Sequence, residues 1–226
     1  MNIPLPREPL LEKVIFDGTI DELLASIDKT KLKLIPTTTG IVSTVEIKDD
    51  TYDWNKTSED FYFHQDGSHL SIKPEYVALL CKHPGDGKAV TTFTDARKVY
   101  TSLAKEFEDE FLRSLVAVYV DKDRNVYKRS FVEKNYNGNL YVNTFHYIEP
   151  DVTKIKEKDR RIFNLTLPKL LLTYERLQNE HIFYKHTFNK NDLVIFRNQE
   201  CHHSKTGMST DDKDRFLYRI WFSENL

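Results

Sequence analysis

Hydrophobic and polar residues alternate or gather in short apolar runs along most of this chain, a pattern typical of β-strands. Segments rich in Asp, Asn, Lys and Gly separate these runs and are typical of turns. The strands predicted in this way are residues 14–16, 31–35, 76–81, 116–120, 126–131, 140–145, 183–188, 193–196 and 215–222.

Three segments carry helix signals instead. Thr19 and Glu22 form a capping box that predicts a helix to about residue 29. Asp95 is predicted to cap a long helix over 96–115, in which apolar residues recur at four-residue steps. Pro168 suits the first turn of a further helix that ends near residue 179. A few helices among many strands indicate a mainly β fold with flanking helices.

The length and charge of the chain limit the classes of protein to which it can belong. Its 226 residues are enough for one hydrophobic core, and we expect a single domain. Many short strands with a few helices outside them suit a barrel, and within 1–226 we expect N-terminal flanking elements and a possible lid in 1–60 and the barrel core in 61–226. Lys and Arg total 33 against 35 Asp and Glu, and this near balance does not favour nucleic acid or an anionic membrane as a partner. Two cysteines, and a start without signal-peptide features, predict a reducing, cytoplasmic setting.

The candidate chemistry begins with His64 and Asp66, which follow an aromatic run. If that run is a strand, the two side chains project from the same face because they are two residues apart. A distant histidine would complete a set of two histidines and one carboxylate on one face of a metal, as in non-haem Fe(II) oxygenases. The segment 198–203 offers both His202 and His203, and local periodicity does not decide between them.

The closing strand adds two cations to this picture. Arg215, Leu217 and Arg219 alternate along one predicted strand and therefore share a face. Guanidinium groups on the apolar side of a strand need buried anions as partners. A planar fork that binds a carboxylate through two hydrogen bonds suits a dicarboxylate cosubstrate.

The order and spacing of these motifs resemble the Fe(II)/2-oxoglutarate-dependent oxygenases of the taurine dioxygenase (TauD/TfdA) and clavaminate synthase superfamily. The resemblance implies a double-stranded β-helix, a cupin-like jelly-roll barrel, in which early and late strands lie side by side. It implies that Fe(II) binds His64, Asp66 and His203, since His203 rather than His202 has the family's offset from Asn198. It also assigns Arg215 to 2-oxoglutarate.

The Gly-rich segment 84–95 resembles the part of these enzymes whose threonine helps to hold the cosubstrate. Thr91 is the expected contact and Thr92 the alternative. Arg219 would bind either the other end of the cosubstrate or a substrate carboxylate. The chain departs from the family pattern where Lys205 stands in place of an arginine, and in the short stretch before His64.

The resemblance implies a dioxygenase that uses Fe(II), 2-oxoglutarate and O2, converts 2-oxoglutarate to succinate and CO2, and hydroxylates a small polar substrate. The expected substrate is an amino acid or an amino-acid-derived metabolite. Desaturation or cyclisation by the same cofactors is an alternative, and a non-catalytic metal-binding barrel is an alternative from another class. In related halogenases a small residue replaces the carboxylate, so the presence of Asp66 argues for hydroxylation, or for desaturation or ring closure by the same cofactors, and against halogenation.

Other residues near these motifs receive plainer interpretations. His202 is expected in a supporting or solvated position, and His69 at the pocket rim or simply half exposed. Cys201 has no second cysteine at ligand spacing, so a core thiol is favoured over a zinc ligand. Trp221 is interpreted as barrel filling. The polar segment 49–60 is either a mobile lid or a solvated loop, with the loop favoured.

Overall fold

The computed structural model contains fifteen strands in the part of the chain that it describes. The described residues are 5–6, 10–28, 30–37, 39–46, 61–70, 73–120, 124–135, 137–151, 153, 160–206 and 214–225. The strands are β1 (Leu11–Ile15), β2 (Leu32–Ile35), β3 (Val42–Glu46), β4 (Phe61–His64), β5 (Tyr76–His83), β6 (Val90–Asp95), β7 (Leu115–Val120), β8 (Val126–Ser130), β9 (Val132–Lys134), β10 (Leu140–Val142), β11 (Tyr147–Pro150), β12 (Ile182–Thr187), β13 (Asp192–Arg197), β14 (Cys201–Thr206) and β15 (Phe216–Glu224). The segment predicted as a lid or loop, 49–60, lies outside the described residues.

Helices flank these strands. They are α1 (Ile20–Ser26), α2 (Ala96–Glu106), α3 (Asp109–Arg113) and α4 (Arg160–Glu180). The Thr19 side chain accepts a hydrogen bond from the Glu22 backbone and the Glu22 side chain bonds back to Thr19, so the predicted capping box is present. None of the helices in the described part of the chain combines the length and apolarity needed to cross a membrane.

Two antiparallel sheets form the barrel. The larger has the strand order β1-β13-β5-β15-β2, with β3 also pairing with β15, and the smaller has the order β12-β6-β14-β4. Strands far apart in sequence are therefore neighbours, as in a jelly-roll made of two facing sheets. This arrangement confirms the predicted double-stranded β-helix.

Apolar side chains fill three layers around these sheets. Val77, Leu79, Phe196 and Leu217 are among the residues packed between the two sheets. The outer face of the larger sheet is covered by α1, whose Leu23 is fully buried. A sheet that is buried on both faces needs apolar residues at successive positions rather than at alternate ones. This explains the continuous apolar runs of β5 and β13.

The third layer consists of α2, α3, α4 and the strands β7 to β11 and covers the smaller sheet. The long helix predicted over 96–115 is wrong, because the chain leaves α2 at Phe107 in an extended conformation and begins α3 at Asp109. At 3.6 residues per turn, each four-residue step rotates the side chain by about 40° around the helix. A straight helix would thus place Val99 and Leu115 on nearly opposite sides. The break lets both face this layer, where both are fully buried.

The helix predicted to begin at Pro168 is also wrong at its start, since α4 begins at Arg160 and contains Pro168 in its interior. An interior proline costs about 3 kcal/mol because it removes a backbone hydrogen bond and clashes with the preceding turn. The earlier turns bury Phe163 in the layer formed with α2, and this packing offsets the cost. The strands β3, β9, β11 and β14 were not among the strands predicted from the pattern.

Packing of α4 can be tested with a matched pair of leucines. Leu170 is fully buried in this layer, whereas Leu172 on the same helix is 70% exposed. We expect Leu170→Ala to lower the free energy of unfolding by about 2–5 kcal/mol, because it leaves a cavity in the core. Leu172→Ala should change it by less than about 0.5 kcal/mol. Equal effects in urea denaturation would contradict this assignment of the buried face.

Candidate metal centre

The two candidate histidines meet because β14 pairs with β4. The register of this antiparallel pair places His203 directly opposite His64, and their ring centroids are 4.0 Å apart. Side chains on a strand alternate between its two faces, so His203 points between the sheets while His202 points away. The register therefore joins two histidines that lie far apart in sequence.

Asp66 lies just beyond β4 and is held through its backbone. The Asn198 side chain accepts a hydrogen bond from the Asp66 amide at 2.8 Å and donates to the Asp66 carbonyl at 2.8 Å. It also donates to the Pro74 carbonyl at 3.0 Å. Gly67 follows with φ of +62°, a conformation that strongly favours glycine and turns the chain sharply after the aspartate. Asn198, at 1% exposure, is thus the buried anchor of the motif.

The donor atoms of His64, Asp66 and His203 lie within 4.8 Å of one another. The Nδ1 atom of His64 is 2.9 Å from the carbonyl oxygen of Tyr62, to which its N–H donates, and this leaves Nε2 as the lone-pair donor. The His203 ring makes no hydrogen bond to any residue that the structure describes, and its Nδ1 is buried. Two neutral imidazoles and one carboxylate fit a divalent transition metal. The His203 imidazole, which has no hydrogen-bond partner among the described residues, is free to bind such an ion.

Charge around the cluster keeps these groups in the states that a metal requires. Burial lowers the pKa of His64, and it lowers the pKa of His203 well below the ordinary value, so both rings are neutral at pH 7. Burial alone would raise the pKa of Asp66, but the nearby Arg219 guanidinium, together with a hydrogen bond from the Trp221 indole, holds it below its usual range. The carboxylate is therefore ionised.

Two residues of β15 bind the Asp66 carboxylate directly. Arg219 donates from Nη1 to Asp66 Oδ1 at 3.0 Å and from Nε to the Ser43 hydroxyl at 3.0 Å. The Trp221 indole donates from Nε1 to Asp66 Oδ2 at 3.0 Å. Trp221 was interpreted only as barrel filling, and its hydrogen bond to Asp66 adds a second role. Period-two spacing from Arg219 to Trp221 was the only signal in the sequence that could have indicated it.

A pocket opens beside the cluster, between the sheets. Apart from His64 and His203, it is lined by Val45, Leu79, Thr91, Ser204, Lys205, Arg215, Leu217 and Arg219. The predicted cosubstrate residues Thr91, Arg215 and Arg219 are thus brought together, whereas Thr92 is not among the lining residues. Arg215 is 3% exposed and Lys205 is 7% exposed, so this apolar pocket holds buried positive charge.

The remaining predicted residues lie outside this pocket. His202 is fully buried on the other face of β14, where its Nε2 is 2.9 Å from the Val142 carbonyl and its Nδ1 is 3.1 Å from the Gln178 amide. It is therefore not solvated. The Cys201 thiol is a buried core group whose pKa burial raises. His69 is partly exposed and its ring packs near Tyr127.

A family model for the taurine catabolism dioxygenase TauD, TfdA family matches residues 18–221. The chain therefore belongs to this family and is a dioxygenase, as the motifs predicted. Fe(II), 2-oxoglutarate and O2, the cofactors expected from the resemblance, are those of such enzymes. No curated protein matches the chain.

Solved structures share the fold at low sequence identity. The PvcB protein from Pseudomonas aeruginosa has a TM-score of 0.66 and 18% identity, with 94% of this chain and 75% of that one covered. AAD-2 in complex with Mn(II) and N-oxalylglycine has a TM-score of 0.69 and 16% identity, with 96% and 83% covered. An asparagine oxygenase in complex with Fe(II), 3-hydroxyasparagine and succinate has a TM-score of 0.59 and 15% identity, with 80% and 56% covered. This chain thus spans just over half the length of that enzyme.

The buried position of His202 predicts a measurable pH dependence of stability. Burial lowers its pKa from 6.5 to about 4 in the folded protein. The unfolded chain therefore binds a proton more readily between these values, and the folded state loses stability as the pH falls through this window. For this one residue the loss between pH 7 and pH 5 is about 2 kcal/mol. In His202→Gln we expect the fall in the free energy of unfolding over this range to be smaller by about that amount.

The measurement is chemical denaturation of both proteins at pH 7 and pH 5. The exposed His83 provides the control, and His83→Gln should keep the wild-type difference between the two pH values. If the free energy of unfolding falls between pH 7 and pH 5 by as much in His202→Gln as in the wild type, His202 is not held neutral in the folded protein.

Proposed function

We propose that this dioxygenase hydroxylates a free amino acid or a small amino-acid-derived metabolite, with Fe(II) held by His64, Asp66 and His203. The observation that carries this proposal is the meeting of these three donors, within 4.8 Å, at the wall of a pocket that also contains Thr91 and Arg215. When bound, Fe(II) supplies the oxidising chemistry with O2 while 2-oxoglutarate is converted to succinate and CO2. The protein binds and orients the reactants.

In this proposal hydrogen bonds with neighbouring residues orient two of the three metal ligands, His64 and Asp66. The Tyr62 carbonyl fixes the tautomer of His64, and Asn198 fixes the backbone at Asp66. Arg219 and Trp221 hold the two carboxylate oxygens of Asp66. Such supporting hydrogen bonds commonly determine both the affinity and the orientation of a metal site.

Arg215 and Thr91 are the proposed contacts of 2-oxoglutarate. Both line the pocket beside His64 and His203, and Arg215 is almost fully buried. A buried guanidinium can bind a carboxylate through two parallel hydrogen bonds, and this would grip the end of the cosubstrate that is far from the metal. The threonine hydroxyl can donate a further hydrogen bond to the same group.

Arg219 has a double role in the proposal. Its bond to Asp66 makes it a positioning residue, and its place on the pocket wall supports contact with a carboxylate of the cosubstrate or the substrate. A guanidinium has enough N–H donors to serve more than one acceptor. The aliphatic neighbours Val45, Leu79 and Leu217 would exclude water from the same space.

The substrate class is supported by a comparison with a solved structure and by the positive charge of Arg219 on the pocket wall, which suits a substrate carboxylate. The asparagine oxygenase with a similar fold holds a hydroxylated amino acid and succinate. An ionised Asp66 is retained next to the histidines, and this favours hydroxylation, or desaturation or cyclisation by the same cofactors, over halogenation. A cytoplasmic setting is also proposed, since Cys81 and Cys201 are both unpaired and buried.

The proposal is tested by incubating the protein with Fe(II), 2-oxoglutarate, O2 and a panel of amino acids while succinate is measured. We expect one class of substrate to stimulate succinate release, and mass spectrometry should show a product that has gained one oxygen atom. Arg215→Gln should raise the KM for 2-oxoglutarate by at least about thirtyfold, because truncating a buried carboxylate contact costs about 2 kcal/mol or more. His64→Ala should abolish succinate release.

The exposed Arg176 pairs with Glu106 and Glu180 on the outside of the protein and provides the matched control. Arg176→Gln removes the same charge and should leave the KM unchanged. An unchanged KM in Arg215→Gln would contradict the cosubstrate assignment. A product that has lost two hydrogen atoms, and has gained no oxygen, would show that the reaction is desaturation or cyclisation and not hydroxylation.

A further inference from the structure

A second cavity, of about 240 Å³, lies near the His64–Asp66 segment, since its lining residue Gln199 accepts a hydrogen bond from Gln65. It shares no lining residue with the metal pocket, and most of its wall is charged. The lining residues are Lys73, Glu75, Arg129, Glu133, Lys134, Tyr141 and Gln199. A cavity of this size holds several water molecules or a small organic ion.

Most of the charged groups in this cavity have partners. Lys73 donates to Glu133 Oε2 at 2.6 Å and to the Asn143 side chain at 2.9 Å. The Tyr141 hydroxyl donates to the same Glu133 oxygen at 2.9 Å. Glu75 accepts a hydrogen bond from the Glu224 amide at 2.9 Å. The two carboxylates are thus engaged by donors of the protein, and Glu133 is neutralised by Lys73.

Arg129 differs from these groups. It lies on the inward face of β8 beside Tyr127, where the alternation of the strand would ordinarily place an apolar residue. Its Nη2 donates to the His69 carbonyl at 3.2 Å, while its Nε is buried and has no hydrogen-bond partner among the residues that the structure describes. In the described part of the chain no carboxylate lies within ion-pair distance of it. A half-buried guanidinium without an anionic partner is costly, and an anion in the cavity would lower that cost.

We propose that this cavity is an accessory site for a small oxyanion, a carboxylate or a phosphate, which Arg129 recognises. The charge of Lys73 is matched by Glu133, so the positive potential comes from Arg129 and from the exposed Lys134, which also lines the cavity. Glu75 and Glu133 limit the size and charge of the ligand, since a polyanion would meet both carboxylates.

The site adjoins the metal-binding segment. Gln199 lines the cavity, and its carbonyl accepts a hydrogen bond from the side chain of Gln65 at 2.7 Å. Gln65 stands between the two metal-ligand candidates in the chain and also exchanges hydrogen bonds with Thr144 at 3.3 and 3.1 Å. The proposed anion site is therefore linked to the His64–Asp66 segment through Gln199 and Gln65.

The test is calorimetric titration of the metal-free protein with inorganic phosphate and, separately, with malonate, at fixed ionic strength. We expect Arg129→Gln to weaken the binding of at least one anion by about tenfold or more, because a charge-assisted contact is lost. Arg176→Gln, which removes the same charge from the outer surface, should change the affinity by less than about twofold. The two anions distinguish a phosphate ligand from a carboxylate ligand.

Arg215→Gln separates this proposal from that for the metal pocket. Binding that survives in Arg215→Gln and is lost in Arg129→Gln belongs to the accessory cavity, whether or not 2-oxoglutarate binds at Arg215. Arg129→Lys keeps the charge and should retain part of the affinity if Arg129→Gln folds poorly. No binding to the wild-type protein, or equal binding to Arg129→Gln and wild type, would overturn the proposal.

Discussion

The pairing of β4 with β14 is the constraint on which the rest of the site depends. It brings His64 opposite His203, and a slip of one residue in this register would put His202 in its place and turn His203 outward. The register is held from both sides of the smaller sheet. On the inner side the ring centroids of His203 and Phe196 are 4.8 Å apart. On the outer side the His202 ring forms hydrogen bonds with Val142 and Gln178.

Burial then decides the chemistry of the three groups. Imidazoles between two apolar sheets lose their protons at neutral pH, whereas a carboxylate in the same place keeps its charge only if cations and donors surround it. Arg219 and Trp221 provide these partners for Asp66. A buried carboxylate left without them would be strongly destabilising, which makes the hydrogen-bond network as necessary to the cluster as its three donor groups.

The patterns in the sequence predicted the parts of this arrangement that depend on local periodicity. The same-face relation of Arg215, Leu217 and Arg219 follows from alternation along one strand, and all three line the pocket. The choice of His203 over His202 came instead from the family's spacing, because alternation alone could not say which face of β14 would be inside. The structure places His203 on the inner face.

Other features depend on contacts between distant segments and left no local signal. The bond of Trp221 to Asp66 and that of Asn198 to the chain at Asp66 join residues more than 130 positions apart. The end of α2 at Phe107 and the early start of α4 result from packing between helices, which overrides local propensity. Arg129 was read as part of an ordinary strand, since nothing near it in sequence indicates the cavity that it lines.

The most direct test of the central claim is an anaerobic titration of the metal-free protein with Fe(II) and 2-oxoglutarate. The observable is the weak visible charge-transfer band that such a complex gives when the cosubstrate chelates the metal. We expect the band in the wild type and in His202→Gln, and its loss in His203→Gln. A band that persists in His203→Gln, or that is absent from the folded, iron-loaded wild type, would contradict the assignment of His64, Asp66 and His203 as the metal centre.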